Sequence, residues 1–95
     1  MSERFDELRR LIAENDHAIV AAVNERLRLV AELWELKRDR GEPLLDPERE
    51  QALRAALAER SVGTLSPEGL ERLVTTLLDL TKAELDPASR DETSG

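Results

Sequence analysis

The chain has no cysteine and no tyrosine, and only one phenylalanine and one tryptophan among its 95 residues. Without cysteine there is no disulfide framework and no thiolate metal site. With aromatics at 2%, the apolar content is almost entirely leucine, alanine, valine and isoleucine. A formal net charge of -7 argues against sequence-independent nucleic-acid binding through a basic surface. It also makes any local cluster of positive charge informative, because such a cluster works against the field of the whole molecule. The opening Met-Ser-Glu-Arg lacks the apolar stretch of a secretory signal, and no apolar run approaches membrane-spanning length. A cytoplasmic protein making no membrane contact is the expectation. No glycine-rich phosphate loop, Ser/His/Asp set or metal cluster is present, and the lone His17 reads as a surface residue.

What is present is helical pattern. A composition rich in Ala, Glu, Leu and Arg, with 37% charged residues, belongs to long packed helices. From Glu3 to Arg40 there is neither proline nor glycine, and Leu8, Ile12, Ile19, Ala22, Val30 and Leu33 recur at helical spacing beside Phe5, Leu11, Val23 and Trp34. One continuous helix over 3–40 is predicted, stopped by Gly41 and Pro43. At 1.5 Å per residue it is roughly 55 Å long. A helix of that length cannot bury its stripe against the short remainder of its own chain, and a chain this small gains greatly from oligomerisation. It needs a partner.

A second helix is predicted over 47–61, with Asp46 as N-cap and Pro47 at the first position, where a missing N–H costs nothing. A third is predicted over 67–85, opened by Ser66 and Pro67, with Leu65 placed to staple onto Leu70. Its stripe runs Leu70, Leu73, Val74, Leu77 and Leu78. The fold class is therefore all-α, three helices with a very long first one, in a domain spanning 1–86. The polar tail, 87–95, reads as disordered.

Polar residues standing where the stripe calls for apolar ones carry the functional signal. Continuing the first helix's seam from Ile12, Ile19 and Ala22 leads to Arg26, then Val30, Leu33 and Lys37. At about 100° per residue Arg26 and Lys37 fall within about 20° of one face, roughly 16 Å apart along the axis. Either each snorkels outward or pairs with an acid, or both reach inward across one small ligand. Arg9 lies roughly 25 Å before Arg26 on the same rod. If it shares a site with Arg26 and Lys37, it must come from an antiparallel partner helix. Asp46, Arg49 and Glu50 fall within one turn; acids there favour the helix dipole and Asp46 is a natural cap, whereas a cation at Arg49 is unfavourable. Thr81 extends the third helix's buried face, where a threonine is commonly satisfied by the carbonyl four residues back.

Together these positions resemble the all-helical class of chorismate mutases, over about Glu3 to Leu85. Leu8-Arg9-Arg10-Leu11-Ile12 with Asp16 looks like that family's opening arginine motif, Asn24-Glu25-Arg26-Leu27 like its second arginine, and Glu35-Leu36-Lys37 like its lysine. Asp46-Pro47-Glu48-Arg49-Glu50 matches its second-helix motif and is the most specific local signal. Gly69-Leu70-Glu71-Arg72-Leu73 followed by Thr81 looks like its third helix, where a serine is usual.

The resemblance implies an intertwined homodimer with two shared sites and the cofactor-independent, pericyclic rearrangement of chorismate to prephenate. Arg9 of the neighbouring chain, Arg26 and Lys37 are the implied catalytic residues. Arg49, Asp46, Glu50, Thr81 and Leu85 complete the implied substrate-binding set, with no metal. At Leu85 the sequence departs from the family, which usually offers a glutamine there as a second donor to the ether oxygen. Glu84 is adjacent but turned by about 100°. That departure implies a slow mutase, one completed by an activating partner enzyme, or one adapted to 4-amino-4-deoxychorismate, whose ammonium would suit Asp46 and Glu50. An isochorismate-pyruvate lyase fits less well, because the second-helix motif reads as mutase. The competing class is a non-catalytic helical dimerisation module.

Overall fold

The computed structural model describes residues 2–86, and the tail over 87–95 lies outside the described residues. Three helices follow in order: α1 from Ser2 to Arg40, α2 from Pro47 to Arg60 and α3 from Pro67 to Leu85. The all-α class and the very long first helix agree with the sequence reading, with boundaries within one residue. The one-residue difference at the end of α2 has a clear cause. Ser61 has left the helix (φ -77, ψ 106) and serves as its cap, donating its N–H to the Leu57 carbonyl. No described helix is long and apolar enough to cross a membrane.

The ends are set by local chemistry. Gly41, at φ 70, takes the left-handed conformation that a side chain resists, and closes α1 with two reversed hydrogen bonds. Glu42 N–H donates to the Lys37 carbonyl (2.8 Å) and Gly41 N–H to that of Arg38 (3.1 Å). Asp46 accepts from the Arg49 N–H (3.2 Å) and Ser66 from that of Gly69 (3.0 Å), so both predicted N-caps are made. Leu65 folds back over the first turn of α3, close enough that a methyl group added at Gly69 would meet it at 2.8 Å.

The three helices do not share contacts equally. α3 packs against both α1 and α2, while among the described residues α1 and α2 do not pack on each other. Arg54 of α2 ties itself to α3 through Glu71 and the Thr75 hydroxyl. The core is small: Trp34 of α1 with Val74 and Leu78 of α3, joined by Thr81. It holds only the C-terminal half of α1. From Ser2 to Ala22 every residue is exposed, including Phe5 (56%), Ile12 (59%) and Ile19 (53%). The first helix thus runs the 59 Å length of the molecule with half its stripe uncovered.

Candidate active site

Because α1 and α2 each pack on α3 but not on one another, a cleft lies between them. Its volume is about 210 Å³, below the roughly 300–1,000 Å³ of pockets for drug-sized ligands, so it suits a small one. Arg26, Val30, Leu33, Trp34 and Lys37 of α1 form one wall, and Asp46, Arg49, Glu50 and Leu53 at the start of α2 form the other. Leu78, Thr81 and Lys82 of α3 make the floor, and Leu44 and Leu45 close one end. Six of the positions singled out in the sequence therefore meet around one space: Arg26, Lys37, Asp46, Arg49, Glu50 and Thr81.

The side chains of four of them, Arg26, Lys37, Asp46 and Thr81, are held by hydrogen bonds. The buried Thr81 hydroxyl donates to the Leu77 carbonyl four residues back (2.9 Å), the ordinary fate of a helical threonine. Its lone pair remains, and accepts from Arg26 Nη1. This bond crosses from α3 to α1 and aims a half-buried guanidinium into the cleft. Lys37 Nζ donates to the Leu44 carbonyl (3.2 Å), pinning the connection between α1 and α2 against the mouth of the site. Asp46 both caps α2 and lines the cleft, so the capping and site readings of that residue are compatible.

Two sequence candidates stand apart. Leu85 is half-buried and is not among the residues lining the cleft. Arg9 lies on the exposed half of α1, its guanidinium 4.4 Å from the centroid of the Phe5 ring. Its neighbour Arg10 is in an ordinary surface pair with Glu14 (2.7 Å), whereas no ion pair joins Arg9 to an acid among the described residues. Its own chain does not bring Arg9 to the cleft, in keeping with the length of helix between it and Arg26.

Lys82 is a charged lining residue absent from the sequence-derived set, as are the apolar Leu44 and Leu45. The signal was present: Val74, Leu78 and Lys82 succeed one another at intervals of four, so a cation continues an apolar stripe as Arg26 and Lys37 do on α1. Trp34 was read as a flanking apolar residue, yet it is 6% exposed and forms part of the wall.

The cleft gathers four cations, Arg26, Lys37, Arg49 and Lys82, against two carboxylates, Asp46 and Glu50. An excess of two positive charges inside a chain of net charge -7 gives the cleft the electrostatic character to attract a small anion with more than one negative group. Its chemistry is electrostatic: donors for carboxylates or a developing oxyanion, and two acceptors for a hydroxyl or ammonium. Comparison with known families agrees with that character. The family model for chorismate mutase type II matches residues 8–84. No curated protein and no solved structure is matched by the chain.

Proposed function

The chain belongs to the chorismate mutase type II family, and from that premise we propose that it is an isomerase converting chorismate to prephenate, active as a homodimer. The observation that carries the reading is the meeting of Arg26, Lys37, Asp46, Arg49, Glu50 and Thr81 around one cleft. The reaction is a concerted shift in which the ether C–O bond breaks as a C–C bond forms, with no atom gained or lost. The protein's tasks are then to hold the substrate in its compact form and to stabilise the negative charge that grows on the ether oxygen. Arg26 and Arg49 clamp the two carboxylates, and part of the barrier is removed by that restraint. Lys37 donates to the ether oxygen, an interaction that strengthens as the bond breaks and so contributes to rate rather than to binding alone. Glu50 and Asp46 accept from the substituent at C4.

The second subunit completes the site. Arg9 projects from the part of α1 that its own chain leaves bare. An antiparallel partner helix covering Phe5, Leu8, Ile12 and Ile19 would bring its Arg9 over this cleft while burying both stripes. What supports this is the exposure of the stripe and the distance along the rod, together with family membership.

The amino analogue of chorismate is the second reading, favoured by the two carboxylates and by a leucine at position 85. The charge excess, two within one chain and three once the second subunit's Arg9 is added, favours chorismate, since a dianion balances it better than a substrate bearing an added ammonium. The test is direct. Purified protein is incubated with each compound, and the loss of the cyclohexadiene absorbance is followed. Chorismate should be consumed faster, with prephenate as product. No turnover of either compound at high protein concentration refutes the enzyme reading, and preference for the amino compound reverses the choice of substrate.

A further inference from the structure

Lys82 is unexplained by the site as assigned so far. It sits on the floor of the cleft, one residue beyond Thr81 and four beyond the buried Leu78. It is half-buried, and no ion pair joins its ammonium to an acid among the described residues. Lys82 is the fourth cation in a cleft that holds only two carboxylates, Asp46 and Glu50, and that excess raises the energy of the empty protein. An apolar residue would continue the Val74–Leu78 stripe at no such cost. A charge kept there against both arguments is explained by an anion that enters the cleft.

We infer that Lys82 is a further catalytic residue, donating from the floor of the cleft to the substrate's ether oxygen, together with Lys37. This rests on the proposed function. The ether oxygen gains negative charge during the rearrangement, and Leu85 has no donor to offer it. Lys82 and Leu85 are three residues apart, so their side chains leave α3 within about 60° of each other. The long lysine side chain reaches into the cleft that Leu85 does not line. The reaction therefore has two cationic donors, Lys37 from the α1 wall and Lys82 from the α3 floor.

The test uses two features of the composition. The chain has one tryptophan, and Trp34 lines the cleft, so its fluorescence reports ligand entry without any turnover. The chain has no cysteine, so in a Lys82→Cys protein the new thiol is unique. Its thiolate displaces bromide from 2-bromoethylamine, giving a lysine analogue with sulfur in place of Cγ, while iodoacetamide gives a neutral adduct of similar bulk.

Lys82→Met should lower kcat about 100-fold, as loss of one oxyanion donor does, with little change in KM. It should also weaken binding of a stable oxabicyclic dicarboxylate that mimics the transition state, read by Trp34 fluorescence. Lys82→Arg should retain part of the rate. The aminoethylated Lys82→Cys protein should recover activity that the iodoacetamide adduct lacks, a comparison that does not depend on Lys82→Met folding. Equal activity of the two adducts overturns the inference. So does an active wild type whose Lys82→Met variant, helical by circular dichroism, keeps its kcat. A wild type that converts neither compound overturns the proposed function and this inference with it.

Discussion

Replacing Thr81 by valine removes one hydroxyl at almost constant volume, and the structure allows its effect to be worked through. That oxygen receives Arg26 Nη1 and donates to the Leu77 carbonyl. The carbonyl loses only an extra partner, so the main loss is the bond to the guanidinium. A hydrogen bond to a charged group contributes about 1.5–3 kcal/mol. Arg26 is half-buried beside an open cleft, and water partly replaces the lost acceptor. The expected loss of stability is therefore at the low end, about 1–2 kcal/mol. Thr81→Ser keeps the hydroxyl and deletes a buried methyl group, costing about 0.8 kcal/mol.

Both variants lose some stability, so a lower unfolding midpoint by itself does not show whether Arg26 is still aimed. Activity does. With serine the guanidinium is still aimed, and kcat/KM should stay near wild type. With valine it swings free, and misplacement of a clamping group should cost about 10–100-fold in kcat/KM. The assay is chorismate turnover, alongside urea unfolding at fixed protein concentration because oligomers unfold in a concentration-dependent way. If the valine variant is as active as the serine variant, the bridge from α3 to α1 does not position Arg26.

Two further predictions follow from the fold. A mixture of Arg9→Ala and Arg26→Ala chains, each inactive by itself, should regain turnover, because each heterodimer holds one site with neither substitution. If the mixture stays inactive while both chains remain folded and dimeric, the shared site is wrong. Gly41→Ala forces a side chain into the left-handed conformation at φ 70, where the added Cβ meets no neighbour within 4 Å and the cost is the backbone strain itself. It should destabilise by about 1–2 kcal/mol, read as a lower urea midpoint at unchanged slope.

Much of this architecture is local, and local structure is legible in a sequence. Asp46-Pro47 and Ser66-Pro67 open α2 and α3 because a side-chain oxygen satisfies the first free N–H and proline tolerates the first position. Gly41 closes α1 because it alone takes a positive φ there without strain. The unusual length of α1 follows from an unbroken run without proline or glycine. Arg26, Lys37 and Thr81 were conspicuous because each is polar on an otherwise apolar stripe, and periodicity is enough to detect that. Lys82 breaks the same rule, four residues beyond Leu78, but stands next to Thr81, which continues the stripe by the i+3 spacing.

Periodicity states that a residue faces inward, not what it meets there. That depends on how the helix axes are disposed, which is set by contacts between residues far apart in the chain. The packing of α3 on both α1 and α2, with those two apart, created a cleft rather than a closed core. It placed Arg26 on Thr81, 55 residues away, and turned Lys82 into the cleft while leaving Leu85 out of the lining. The sequence by itself determined three capped helices, a stripe too long for one chain to cover, and a set of misplaced cations. The tertiary structure decided which of those cations share a space, because only the packing of distant helices brings their side chains within reach of one another.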